Sequence, residues 1–245
     1  MMRFMWIAAV AAFLGLTGPV MAADDLPDLT REQIEEIVRE YLIDNPTVIV
    51  EALQVYERQM AEENARSTDV AMADLAVQLY GDPDTPEAGN PSGDVVVIEF
   101  FDYRCGYCRR SAPDLFGLVR DDSNVRLIYK EFPILGSGSM MASRAALASR
   151  KQGLYQPFHE ALMTADIDFS EASVMEVAEL VGLDAERLKA DMEDPEITAH
   201  IEANYALAHA LGIQGTPAFI IGDELIPGSL DRAELDKLIK QAREG

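Results

Sequence analysis

Cysteine is nearly absent from this chain: there are two, Cys105 and Cys108, among 245 residues. A pair so close excludes a disulfide scaffold. A loop of about four residues stabilises by only about 2 kcal/mol, against about 4.7 kcal/mol for a loop of about a hundred. Histidine is scarce too, with His159, His200 and His209 and no close H-x₃₋₅-H pair. One Cys-x-x-Cys supplies only two of the four ligands of a zinc site. Arg109 follows Cys108, where covalent haem attachment needs His. No metal or cofactor is therefore expected. Positive charge is short, at 20 Lys+Arg against 43 Asp+Glu and a net charge of −23. That balance disfavours nucleic acid and anionic membrane surfaces as partners. Past the N-terminus no apolar run approaches the ~20 residues of a spanning helix.

The N-terminus reads as an export signal. Arg3 gives a short positive region, residues 4–16 are apolar, Gly18-Pro19 breaks the helix, and Val20-Met21-Ala22 suits a signal peptidase. Cleavage is expected after Ala22, with Ala23 the next candidate; an uncleaved anchor is the alternative. The mature chain is then periplasmic, where disulfides form and persist. A lone Cys-x-x-Cys in an exported protein points to redox chemistry.

The local pattern suggests how the pair would work. Val95-Val96-Val97-Ile98-Glu99-Phe100-Phe101 reads as a strand buried on both faces, and a helix can run from Cys108 through Val119. Cys105 then lies at a helix N-terminus, where free N–H groups and the helix dipole favour its thiolate, with Arg104 and Arg109 nearby. Cys108 lies one turn further in and is expected to be buried. Cys105 becomes the attacking or attacked sulfur, and Cys108 the one that resolves a mixed disulfide. Glu99, inside the apolar strand, is either a strand-end acid in solvent or a buried carboxyl beneath the cysteines that exchanges protons with Cys108. Lys130, in the strand Val125-Arg126-Leu127-Ile128-Tyr129-Lys130, is a candidate charge partner for it.

A second informative stretch is Gly215-Thr216-Pro217-Ala218-Phe219-Ile220-Ile221. Pro217 cannot donate to a sheet ladder and pushes Thr216 to extended geometry. A cis Thr216–Pro217 bond would offer the Thr216 backbone to an extended peptide, although trans is the default for any X-Pro bond.

Together, Glu99-Phe100-Phe101-Asp102-Tyr103-Arg104-Cys105-Gly106-Tyr107-Cys108 and the later Gly215-Thr216-Pro217-Ala218-Phe219 resemble the DsbA-like branch of the thioredoxin superfamily, from Val95 to the C-terminus. The resemblance implies a cis Thr216–Pro217 bond facing the cysteines, Cys105 as nucleophile, and a buried Glu99 that assists. It also implies an α/β, thioredoxin-like fold with a helical insertion at about 133–212. Helical spacing over 140–152, 155–164, 172–181, 185–192 and 197–211 fits that insertion. Gly153, Gly182 and Gly212 are its C-caps and Ser170, Asp184 and Asp194 its helix starts. A hairpin about Gly222-Asp223 and a helix over 231–243 complete the domain. Met140, Met141, Met163, Met175 and Met192 could suggest copper, but their helical spacing makes them core or groove residues first. The three histidines read as core-edge or surface residues.

Ahead of the 75–245 domain lies a helical extension and stalk, 23–74. Thr30-Arg31-Glu32-Gln33 is a capping box, and Ile34, Ile37, Val38 and Tyr41 share one helical face. After Asp44-Asn45-Pro46 a second helix carries Ile49, Leu53, Tyr56 and Met60. These faces pack either on their own domain or, the favoured reading, on a partner subunit. The stretch 34–60 resembles the N-terminal oligomerisation region of ScsC-type proteins, named for suppression of copper sensitivity. That implies a homodimer or homotrimer through residues 30–65. Residues 75–80 are expected to form an edge strand, and 81–93 a linker.

Gly106 and Tyr107 tune the pair. The resemblance implies that strong oxidants carry Pro-His there and oligomeric isomerases Gly-Tyr, so Cys105 is expected to be less acidic than the strongest oxidant's thiol, at about 3.5. The leading reading is an isomerase acting on exported proteins with thiols or wrong disulfides and served by a membrane redox partner. A DsbA-type oxidase is the alternative. A copper-binding or chaperone-like protein, with Cys105 and Cys108 holding Cu(I), is a third reading.

Overall fold

The computed structural model describes residues 29–244; the expected signal peptide lies outside the described residues. The chain divides into two compact units, with the boundary between Gln59 and Met60.

In the N-terminal unit, Thr30 caps helix α1 (Arg31–Asp44). Its hydroxyl accepts from the Gln33 amide at 3.3 Å, and the Gln33 side-chain oxygen accepts in return from the Thr30 amide at 3.0 Å. Asn45-Pro46 ends the helix, since Pro has no N–H to continue it, and helix α2 (Thr47–Asp74) begins directly after. No residue of α1 is buried; Ile34, Ile37, Val38 and Tyr41 are exposed, as are Ile49, Leu53, Tyr56 and Met60 of α2.

The second unit is built on a five-stranded mixed sheet of order β1-β3-β2-β4-β5. The strands are β1 (Glu87–Gly89), β2 (Val95–Phe101), β3 (Val125–Glu131), β4 (Ala218–Ile221) and β5 (Glu224–Pro227). Strands β2 and β3 are parallel and the other pairs antiparallel. Both faces of β2 are covered, which is why it reads as a nearly unbroken apolar run. Helices α4 (Gly106–Asp121) and α10 (Arg232–Glu244) pack on the face formed by Val95, Val97, Glu99 and Phe101. Helix α3 (Ala76–Tyr80) and the end of α9 (Pro195–Ala210) pack on the face formed by Ile98 and Phe100. Between β3 and α9 run α5 (Ser137–Ser149), α6 (Tyr155–Thr164), α7 (Glu171–Leu180) and α8 (Ala185–Met192). Ser170, Asp184 and Asp194 cap their helices with side-chain acceptors, and Gly153, Gly182 and Gly212 adopt the left-handed geometry expected of them.

Residues 75–80 are not the expected edge strand. A strand would place Leu75, Val77 and Leu79 on one face, but Leu79 is fully buried while Val77 is 74% exposed. The Leu79 amide bonds the Leu75 carbonyl at 2.9 Å, one helical turn back. The edge is β1 instead, inside the expected linker, antiparallel to β3 with Glu87 opposite Ile128. Met163, Met175 and Met192 are buried in the core, and Met140 and Met141 pack at its margin.

Candidate active site

Strand β2 delivers the chain to a turn in which Asp102 is the organising residue. Its carboxylate accepts from the Arg104 amide at 2.7 Å, the Leu135 amide at 2.9 Å and the Ser139 hydroxyl at 2.8 Å. Its carbonyl accepts from the Cys105 amide at 3.0 Å. The turn is thus tied to the loop ahead of α5, and α4 starts at a fixed point.

Cys105 is the N-cap of α4, and its sulfur accepts from the Cys108 amide at 3.5 Å. The thiol faces the Thr216 carbonyl at 3.2 Å, next to the cis Thr216–Pro217 bond. A groove of about 380 Å³ opens beside Thr216 and Pro217, walled by Ile213, Leu225 and Pro227. Hydrogen bonding to the Cys108 thiol lowers the Cys105 pKa to about 5, aided by the Thr216 side chain and the Cys108 and Tyr107 amides and opposed by burial. Cys108 is fully buried, and burial pushes its pKa far up. One sulfur is set to be a thiolate and the other to keep its proton, as the helix position implied. Gly106 has open space around its Cα. Tyr107 is 58% exposed, with the Arg110 guanidinium 5.1 Å from its ring centre. Arg104 and Arg109 turn to carbonyls, those of Leu135 and Ala165, rather than to the sulfurs.

Glu99 is 1% exposed, and its Oε1 has no hydrogen-bond partner. Burial raises its pKa to about 8, with the charges of Cys105 and Glu131 adding to the effect. Of the two sequence readings of Glu99, the structure has the buried carboxyl.

Lys130 is not its charge partner. The parallel register sets Glu99 opposite Tyr129 and Lys130 opposite Phe100. Glu99 and Lys130 therefore point to opposite faces of the sheet. Lys130 Nζ donates to the Gln78 carbonyl at 2.7 Å and the Thr85 hydroxyl at 2.9 Å. Burial lowers its pKa to about 8, with Asp82 acting in the other direction.

The comparisons with known proteins follow this geometry. Residues 96–240 match the model of the DSBA-like thioredoxin domain. The chain belongs to the DsbA-like thioredoxin family. Residues 31–63 of this DsbA-like chain match the model of the copper resistance protein ScsC N-terminal domain. A thioredoxin-like oxidoreductase from Silicibacter pomeroyi is 51% identical over 69% of this chain and 98% of its own, with a TM-score of 0.67. A linker-deletion mutant of Proteus mirabilis ScsC is 28% identical over 89% of this chain and 98% of its own, with a TM-score of 0.68. The Na(+)/H(+) antiporter NhaA of Herminiimonas arsenicoxydans is 27% identical over 71% of this chain, which spans 28% of that protein's length.

Sequence reasoning missed the residues behind Glu99. Glu131 is fully buried and accepts from the hydroxyls of Tyr103 at 3.1 Å, Tyr155 at 2.9 Å and Ser143 at 2.7 Å. His159, expected at the core edge or surface, is fully buried, with its Nδ1 2.9 Å from the Tyr103 hydroxyl. A polar pattern of Tyr103, Glu131 and Tyr155 at otherwise apolar positions was the available signal.

Proposed function

We propose that this DsbA-like chain is a periplasmic thiol–disulfide isomerase acting on exported proteins with wrong disulfides. The thiolate-favouring position of Cys105, facing the Thr216 carbonyl above a buried Cys108 and Glu99, is the observation that carries the redox reading. Cys105 thiolate attacks one sulfur of a substrate disulfide. That S–S bond breaks, a Cys105–substrate S–S bond forms, and the other substrate sulfur leaves as thiolate. A second substrate thiolate then attacks the mixed disulfide and releases Cys105, with no net change in electrons. Where this fails, the mixed disulfide has removed the Cys105 charge that helps keep Glu99 protonated; ionised Glu99 takes the Cys108 proton, and Cys108 attacks the Cys105 sulfur, so that the Cys105–Cys108 bond forms as the Cys105–substrate bond breaks. The substrate leaves as a dithiol, two electrons richer, and a membrane dithiol partner must then reduce the Cys105–Cys108 bond.

Thr216 and Pro217 present a backbone edge and an apolar groove to an extended substrate segment. Gly106-Tyr107 places no cation between the cysteines, which supports isomerisation over oxidation. The exposed faces of α1 and α2 support assembly of two or three chains through residues 30–65, so that several Cys105 thiols meet one substrate. The oxidase reading draws on the acidity of Cys105, since a stable thiolate is a good leaving group.

The test is reactivation of a scrambled, wrongly disulfide-bonded enzyme by the mature chain, beside Cys105→Ala and a version starting at Ala73. Loss in both controls supports the oligomeric isomerase. Oxidation of reduced peptides without reactivation replaces it with the oxidase. Cu(I) held against glutathione, with neither activity, replaces both with the copper-binding reading.

A further inference from the structure

Two buried carboxyls lie on one face of the sheet. Glu99 pairs with Tyr129 across β2 and β3, and Phe101 with Glu131, so Glu131 is one diagonal step from Glu99. Strand spacing and rise put their Cα atoms roughly 8 Å apart. Glu99 has an orphaned oxygen, whereas Glu131 has three hydroxyl donors. The mechanism above uses the first and leaves the second unexplained.

The Tyr103 hydroxyl has one proton and two neighbours, Glu131 Oε1 at 3.1 Å and His159 Nδ1 at 2.9 Å. Burial lowers the His159 pKa to about 3, so its ring is neutral. When Glu131 is ionised, Tyr103 donates to it and His159 donates to Tyr103 from Nδ1–H. A proton on Glu131 Oε1 has Glu131 donate to Tyr103, Tyr103 donate to His159 Nδ1 and the ring proton sit on Nε2, whereas a proton on Oε2 faces the Ser143 hydroxyl and leaves the Tyr103–His159 contact as it is. Nε2 is buried without a partner, among aromatic rings whose centres lie between 4.4 and 5.6 Å from that of His159. A buried N–H with no acceptor is costly. The relay therefore resists a proton on Glu131 Oε1, while burial, which raises its pKa to about 8, favours the neutral acid.

We infer that Glu131 is a positioning residue for the redox pair: its charge, held in the Tyr103–His159 relay, governs how readily Glu99 exchanges a proton with Cys108. An ionised Glu131 makes Glu99 hold its proton more tightly, and a neutral one lets it go. The titratable groups facing Glu131 are Tyr155 from α6, Tyr103 and Asp102 from the turn after β2, and Glu99 from β2; Tyr129 of β3 and His159 of α6 lie against Tyr155 and Tyr103 in turn. The role in exchange rests on the proposed redox function; the coupling of the two carboxyls does not.

The experiment is carbon-13 NMR of labelled glutamate carboxyls in the full mature chain across pH, assigned with Glu99→Gln and Glu131→Gln. In the native chain Glu99 and Glu131 should each titrate in two steps, because the pair shares its macroscopic pKa values. Single independent steps would overturn the inference without any variant having to fold. In Glu131→Gln the Glu99 midpoint should fall by on the order of one pH unit; an unmoved midpoint overturns the inference. The pH profile of Cys108-dependent release of a mixed disulfide should shift by the same amount, and the shift should vanish in a Glu99→Gln background. A purely structural Glu131 would change stability and leave that profile in place. A native chain that exchanges no disulfide defeats the proposed function and leaves the carboxyl titration to judge the coupling.

Discussion

Glu99 and Lys130 are both charged residues inside neighbouring strands, both 1% exposed, yet the fold treats them oppositely. Lys130 faces α3 and finds two oxygen acceptors, a carbonyl and a hydroxyl, at 2.7 and 2.9 Å. Glu99 faces the cysteines with an oxygen that has none. A buried polar group with partners is structural; one left without a partner costs stability and persists where chemistry uses it. One face of this sheet anchors the chain that enters the domain, and the other face stores a proton.

Replacing each residue should expose that difference, and Glu99→Gln should have the larger effect. The Glu99 pKa is about 8 in the fold against an ordinary 4.5. The stability carried by its protonated form is complete below about pH 4.5 and lost as pH rises through about 8. Glu99→Gln removes that loss. Denaturant titrations at about pH 4 and about pH 9 should show the variant gaining on the native chain by on the order of 4 kcal/mol. Parallel changes in both proteins would mean that Glu99 titrates as an ordinary exposed acid.

Lys130→Met should act in the other direction, destabilising by about 2–3 kcal/mol because the Gln78 carbonyl and Thr85 hydroxyl lose their donor. The Cys105 titration should not move. A Cys105 midpoint that shifts with Lys130 would erase the division between the two faces. Tyr107→His is the smallest change. An imidazole beside Cys105, charged at the pH where the thiol ionises, should lower the thiol pKa by about half to one unit, read as alkylation rate against pH. No shift would show that the exposed position 107 is too well solvated to act on the sulfur.

What was legible in the sequence was local. The apolar run of β2, Cys105 at a helix start and the Gly and Asp caps of the insertion each depend on a few neighbouring residues. All appear where expected. What was illegible depends on register. Glu99 and Lys130 lie in neighbouring strands and look like charge partners in the sequence, but a shift of one residue in pairing reverses a side chain's face. The edge strand expected at residues 75–80 is a helix, and the observed edge, β1, has only three residues and little apolar signal. Glu131 and His159 are far apart in sequence and meet only because Tyr103 lies between them.

Ultraviolet titration of the Cys105 thiolate, in the reduced protein beside Cys105→Ala, tests the central claim most directly. The thiolate signal should rise with a midpoint at about pH 5 and be absent from the variant. A midpoint near 9, that of an ordinary thiol, would contradict the assignment of Cys105 as the activated sulfur.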